Sequence, residues 1–245
     1  MKNNLKICKP FKNMPESLSG EGEDVVIRKI LDILEIKNGT VVDVGSWDGW
    51  HLSNVGLLIK DGFSGILIES EKSRIAESQE RRRGRDDVVH FNQLVDLEEK
   101  SLNKILEQAK VSKNFEVLNI DIDSYEFWIW KNLKFKPKIV CIEFNGHRLD
   151  YDVTIPYDKN WNYSSNKDNY GASPTALFRL GNHKGYSLVS ISKHNLIFCD
   201  SKYSHLFETF SQIDPSWMKE TFNMKPWSTR IKMDDSYFVF NPEIS

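Results

Sequence analysis

The sequence predicts an α/β fold with a doubly wound, Rossmann-like sheet, mostly parallel and closed by a terminal antiparallel hairpin. Three observations predict it. Short β-branched runs alternate with amphipathic segments from Thr40 to Glu143, the rhythm of strands joined by right-handed helical crossovers. The first of these runs carries an acidic residue and is followed by two glycines four apart, Asp43-Val44-Gly45-Ser46-Trp47-Asp48-Gly49. The last two apolar runs, Tyr186 to Ile191 and Leu196 to Cys199, are joined by a short polar turn, which makes them a hairpin.

Residues 1 to about 20 carry turn formers and no periodicity, so they are expected to be an irregular lead-in. Glu23 to Glu35 spaces Val25, Ile27, Ile30, Leu31 and Leu34 mostly three and four apart, which predicts a helix. Thr40 to Val44 is a short run suited to a buried parallel strand. Leu52 to Lys60 (helix), Gly65 to Glu69 (strand), Glu71 to Arg83 (charged helix) and Val88 to Phe91 (strand) continue the alternation. Leu102 to Ala109 (helix), Val117 to Asp121 (strand), Tyr125 to Lys131 (short helix) and Ile139 to Glu143 (strand) complete it. Asn145 to Gly171 then has no usable period and is far longer than an ordinary connection, as expected of a lid loop. Order returns at Ser173-Pro174, an N-cap serine before a proline at the first helical position, and Gly185 marks the helix stop. Beyond Asp200 the pattern weakens, with a helix near Pro215 to Phe222. With no linker and no repeat, 1–245 reads as a single domain, with 201–245 as its C-terminal extension.

Composition removes several function classes. Lys plus Arg number 33 against 35 Asp plus Glu, a net charge of −2, which excludes a generally basic nucleic-acid binder. The Arg81-Arg82-Arg83-Gly84-Arg85 run lies at a predicted helix C-terminus and is expected to be a solvated helix end. Cys8, Cys141 and Cys199 are odd in number and far apart, fitting neither a disulfide framework nor a cysteine zinc site. No apolar run reaches signal-peptide or membrane-span length. The expectation is a cytoplasmic protein whose partner is a small molecule, not nucleic acid or a membrane.

In an open α/β sheet, ligands bind beyond the carboxyl ends of the strands. Glycines at 45 and 49 let the backbone turn tightly and approach a ligand. Glu69 ends the second strand, where a carboxylate can accept both hydrogen bonds of a ribose diol. A nucleoside-bearing cofactor is therefore expected. The middle glycine that a dinucleotide pyrophosphate requires is replaced by Trp47, and no phosphate loop exists. Trp47 and the extra carboxylate Asp48 resist a pyrophosphate and tolerate a cationic sulfonium, which favours S-adenosylmethionine over a nicotinamide cofactor. The expected cofactor set is Asp43, Gly45, Ser46, Trp47, Asp48, Gly49, Glu69 and Asp121.

Val41 to Gly49 resembles the first motif of class I S-adenosylmethionine-dependent methyltransferases, and the strands with their terminal hairpin resemble that family's seven-stranded sheet. More narrowly, Ser19-Gly20-Glu21-Gly22-Glu23-Asp24, Asn119-Ile120-Asp121-Ile122-Asp123, Gly171-Ala172-Ser173 and Lys184-Gly185-Tyr186-Ser187-Leu188-Val189 are similar to its FkbM-type branch. Gly20 departs from it, standing where glutamine is expected. The likeness covers about residues 18 to 200. It implies O-methylation of a small polar acceptor, such as a sugar or nucleotide-sugar derivative. A nicotinamide-dependent oxidoreductase, or a non-catalytic cofactor-binding module of the same fold, are the rival readings.

Asp121 and Asp123 sit two apart at the end of the fourth strand and would project to one side of an extended backbone. One can anchor the cofactor's ammonium while the other faces the acceptor; with Glu143 and His147 they could instead hold a divalent metal. One of them capping the following helix is the bland alternative. His147 is the expected general base because imidazole titrates near neutrality. Tyr157, Trp161, Glu143 and Asn145 are expected on the acceptor side. The aromatic helix Tyr125, Phe127, Trp128 and Trp130 is expected to bury its rings against the sheet.

Overall fold

The structure is a computed structural model that describes residues 16–158, 170–224 and 238–239. Its centre is a seven-stranded sheet in the order β3-β2-β1-β4-β5-β8-β7. The parallel strands are β1 (Thr40–Val44), β2 (Ser64–Glu69), β3 (Val88–Asn92), β4 (Val117–Ile120) and β5 (Ile139–Glu143). The hairpin β7 (Tyr186–Ile191) and β8 (Asn195–Asp200) adds antiparallel to β5, with Glu143 opposite Asn195. This is the seven-stranded methyltransferase sheet that the sequence resemblance implies. The chain direction reverses sides between β1 and β4, so the carboxyl ends of those two strands flank the crevice where such sheets take their ligands.

The strands read as nearly continuous apolar runs because both faces are covered. Alternate residues feed two cores: Val42, Val44, Leu118 and Ile120 pack on one side with helices α4 (Leu102–Gln108), α5 (Glu126–Asn132) and α6 (Pro174–His183). Val41, Leu67, Val117 and Ile139 pack on the other with α1 (Glu23–Ile33) and α2 (Gly56–Lys60). Phe127 and Trp130 of α5 are buried as expected, whereas Trp128 and Tyr125 face the following loop. Trp128 Nε1 donates to the Ile155 carbonyl at 2.8 Å and Tyr125 Oη to that of Asp158 at 2.7 Å.

Three expectations are corrected. The helix expected from Leu52 begins only at Gly56, because Leu52 takes a left-handed φ of 54° and Ser53 Oγ then accepts the N–H groups of Val55 and Gly56. Within the expected lid loop, the stretch up to residue 158 holds a 3₁₀ turn (Gly146–Arg148) and a short strand β6 (Val153–Thr154) paired with β9 (Phe238–Val239) in the tail. The charged helix is α3 (Lys72–Arg81), and its arginine run is only in part the expected solvated end: Arg81 and Arg83 are exposed, while Arg82 and Arg85 act as braces. Arg82 is buried and donates to the Gly49 carbonyl at 2.7 Å, and Arg85 reaches the carbonyls of Ile59 and Phe63. Ser173 caps α6 as expected, its Oγ accepting the Ala176 N–H at 3.1 Å ahead of Pro174. Helix α7 (Pro215–Phe222) lies where the sequence placed it. No helix among the described residues is long and apolar enough to cross a membrane.

Gly45 is the tightest point of the fold's functional edge. Its φ is +83°, and a Cβ there would lie 1.8 Å from the Asp121 carbonyl oxygen. Gly45→Ala is expected to lower stability by about 2–4 kcal/mol, from the left-handed backbone together with overpacking; denaturant unfolding of the purified variant measures it.

Candidate active site

A cavity of about 610 Å³ opens at the carboxyl ends of β1, β2 and β4. Its floor is the glycine turn after β1. The N–H groups of Gly45 and Ser46 both donate to the Ile68 carbonyl, at 2.9 and 3.1 Å, stitching the turn to β2. Trp47, at φ +50°, donates its N–H to Glu69 Oε2 at 3.0 Å, while Glu69 Oε1 accepts from the Glu71 N–H at 2.8 Å. Oε1 also accepts from Ser70 Oγ at 3.1 Å, so Glu69 stands at the rim in a fixed rotamer with a lone pair remaining on Oε2. The Trp47 ring is exposed and stacks under the Arg74 guanidinium, 4.1 Å from its centroid.

Beneath the turn, Asp43 is buried in a polar network. Asn119 Nδ2 donates to Asp43 Oδ1 at 2.8 Å, Asn54 Nδ2 donates to Asn119 Oδ1 at 3.2 Å, and Ser53 Oγ lies 3.5 Å from Asp43 Oδ2. Burial pushes the Asp43 carboxyl up to about 6, against the hydrogen bond from Asn119 and with the charge of Glu69 adding to the rise.

The rim of β4 and β5 carries more carboxylates. Asp121 and Asp123 both border the cavity, but by a different route from the one expected. The strand ends at Ile120, and Asp123 takes a left-handed φ of 54°, so a turn and not the pleat brings them together. Neither caps α5. No side chain does; Glu126, the first residue of that helix, instead braces the preceding turn, its Oε1 accepting the N–H groups of Ile122 and Ser124 at 3.1 and 2.9 Å. Its Oε2 is buried without a partner. Burial, then the neighbouring charges of Glu126 and Asp123, push Asp121 up to about 8; burial likewise takes Glu126 to about 7 and raises Glu143 well above the ordinary range.

Of the expected cofactor set, Asp43, Gly45, Ser46, Trp47, Glu69 and Asp121 border the cavity. Asp48 and Gly49 do not. Asp48 is turned inward because it has better partners inside: its Oδ1 accepts the N–H groups of Trp50 and His51 at 2.9 and 2.8 Å. Its Oδ2 meets His51 Nδ1 at 2.5 Å and Arg81 Nη2 at 3.3 Å. Burial works against its charge, yet these hydrogen bonds hold it below the usual carboxylate range. Gly49 completes the turn at φ +66°, donating to the Ser46 carbonyl at 2.7 Å.

On the expected acceptor side, Asn145 is a buried cap: its Oδ1 accepts the His147 N–H at 2.9 Å and its Nδ2 donates to the Tyr170 carbonyl at 2.9 Å. That cap starts the 3₁₀ turn, which leaves His147 exposed and away from the cavity lining. Glu143 does not border the cavity either, being enclosed beside the Asp123 backbone. Tyr157 packs edge-on against Tyr125, 5.0 Å between centroids, and Trp161 lies outside the described residues. No group of three or more His, Cys, Asp or Glu among the described residues is placed to hold a metal ion, so the metal alternative gains no site.

The cavity also includes residues that the sequence reading missed. Gln93, Leu94 and Val95 follow β3 and close the end nearest Glu69. Their position just past the third strand was the available signal. His51 and Leu52, the latter expected to start a helix, also border the cavity.

No protein-family model matches the chain, and no curated protein is similar to it in sequence. Among solved structures it is similar to TehB from Haemophilus influenzae (13% identity, TM-score 0.46), covering 76% of this chain and 64% of that one. It also resembles the N-terminal domain of EvdMO1 with SAH bound (12% identity, TM-score 0.46, covering 74% and 81%). A third is an S-adenosylmethionine-dependent methyltransferase from Clostridium acetobutylicum (12% identity, TM-score 0.42, covering 72% and 89%). Likeness at this level carries nothing about chemistry; the fold rests on strand order and register.

Asp43 generates a pH prediction. Its folded-state value lies above its ordinary one, so the proton is held more tightly in the folded chain, and its contribution to stability is lost as pH rises from about 4 through about 6. Asp43→Asn keeps an acceptor for Asn119 and removes the buried charge. It is expected to raise stability at pH 7 by about 1–3 kcal/mol and to change little at pH 4; urea unfolding at the two pH values checks it.

Proposed function

We propose that the chain is an S-adenosylmethionine-dependent methyltransferase that methylates a hydroxyl of a small polar acceptor, such as a sugar or nucleotide-sugar derivative. The observation that carries the cofactor is the charge of the cavity wall. Asp43, Glu69, Glu71, Asp121 and Asp123 border it, against a single residue able to carry positive charge among the described residues, His51. A dinucleotide would bring two phosphates into that field; a sulfonium with an ammonium group brings cations. The orphaned Ser46 hydroxyl and the close backbone approach at Gly45 fit a ligand lying across the turn.

In this reading Glu69 accepts from the ribose diol, Leu94 and Val95 flank the purine with the Gln93 amide at its edge, and Asp121 faces the ammonium. The cofactor supplies an activated methyl group. The chain holds that group at the β4 rim, excludes water with Trp47 and Leu52, and presents the acceptor oxygen in line. Asp123 borders the cavity at that rim with its carboxyl raised by burial, which suits it to accept the acceptor's hydroxyl proton. His147, away from the lining, has no part in this arrangement. The acceptor class follows the sequence resemblance.

Calorimetric titration with S-adenosylhomocysteine and with NAD tests the cofactor. Binding of the first alone supports the reading, and binding of NAD alone would turn it toward the oxidoreductase. Glu69→Ala is expected to cost about ten- to more than a hundredfold in S-adenosylhomocysteine affinity. With a turnover assay over hydroxylated acceptors, Asp123→Asn is expected to lower kcat about 10²- to 10⁴-fold, with His147→Ala close to wild type. Cofactor binding without turnover of any acceptor would instead favour the non-catalytic module.

A further inference from the structure

An anion laid across a strand-to-helix turn is ordinarily met by backbone N–H groups. Here most of those groups are committed within the protein. The N–H groups of Gly45 and Ser46 go to Ile68, that of Trp47 to Glu69, that of Gly49 to Ser46, and those of Trp50 and His51 to Asp48. The Ser53 N–H goes to the Trp50 carbonyl. What the turn still offers the cavity is side chains. Ser46 borders the cavity, and its Oγ is buried with no hydrogen-bond partner. His51 also borders it, with Nδ1 on the buried Asp48 carboxylate at 2.5 Å and its ring otherwise open, since its side chain is 69% exposed. Asp48 is itself pinned by two N–H groups and by Arg81, so the imidazole is held by a rigid support.

The proposed ligand makes a demand at this place. With its nucleoside at the β2–β3 edge and its ammonium at Asp121, its amino-acid portion spans β1, over Ser46 and beside His51. That portion carries a carboxylate, which would otherwise face Asp43, Asp121 and Asp123. We propose that His51, backed by Asp48, is the counter-ion for the carboxylate of the cofactor's amino-acid portion, with the Ser46 hydroxyl as its second donor. The assignment rests on the cofactor reading above and extends it to a residue pair that sets the chain's preference for the intact amino-acid portion. It also gives Asp48 a role, as positioning residue for His51, other than the direct contact that the sequence suggested.

The test compares S-adenosylhomocysteine with its decarboxylated analogue, which keeps the nucleoside, thioether and ammonium, by calorimetry on the full chain. His51→Gln is expected to weaken S-adenosylhomocysteine at least about tenfold while leaving the analogue within about twofold. His51→Arg should restore most of the loss, because it returns a cation to an exposed position. Ser46→Ala should weaken the carboxylate-bearing ligand alone, by about two- to tenfold. Equal weakening of both ligands by His51→Gln, or none of either, would overturn the assignment while leaving the cofactor reading intact. Wild-type protein that binds neither ligand would overturn the cofactor reading and this assignment with it.

Discussion

The enclosure of carboxylates at the carboxyl ends of three adjacent central strands is the constraint on which the rest of the molecule depends. Burial raises Asp43 on β1, Glu143 on β5, and Asp121 and Glu126 beyond β4, with the charge of Glu69 adding to the rise at Asp43 and those of neighbouring carboxylates at the other three. Charges gathered this way oppose folding. The fold answers with fixed donors where it can: Asn119 for Asp43, and the Ile122 and Ser124 N–H groups for Glu126. In the proposed reading, a cationic group beside Asp121 would favour its ionised form and offset part of that cost.

Holding such a rim in place requires ties between distant parts of the chain, and the segment before α1 supplies them. Asp24 is fully buried and accepts from Ser17 Oγ at 2.6 Å, from Ser19 Oγ at 3.0 Å and from the Leu18 N–H at 2.6 Å. Glu23 beside it reaches the turn of the β7–β8 hairpin, accepting from Ser192 Oγ at 2.5 Å and from Asn195 Nδ2 at 3.2 Å. The Phe144 N–H then donates to the His194 carbonyl at the end of β5. Lead-in, hairpin and β5 are thereby locked at the cavity's end of the sheet. This is a physical reason for the acidic Glu21-Gly22-Glu23-Asp24 cluster at the start of α1.

Arginines do the corresponding work under the glycine turn. Arg81 pairs with Asp48, and Arg82 donates to Gly49 with its guanidinium near the Trp50 ring. A charge run at the end of a helix is usually hydrated because nothing else is within reach. Here Asp48, Gly49 and Trp50 lean over α3, and a long side chain can bury its stem while its head finds a carbonyl.

Much of the fold was legible in the chain because its signals are local. The β-branched runs at Thr40, Val117 and Ile139, the Ser173-Pro174 cap, and the glycines needed where φ is positive each report on neighbours a few residues away. Sequence alone thus determined the α/β class, the strand positions, the terminal hairpin and the strand-end residues Asp43, Glu69 and Asp121 that border the cavity. Tertiary structure alone decided what those neighbourhoods meet. It turned Asp48 inward to His51 and Arg81, directed His147 away from the lining through the Asn145 cap, and brought Gln93, Leu94 and Val95 to the cavity. Asp48 is held by Arg81, 33 residues on, and Asn145 by the Tyr170 carbonyl, 25 residues on, and a one-dimensional pattern carries no record of partners at that distance.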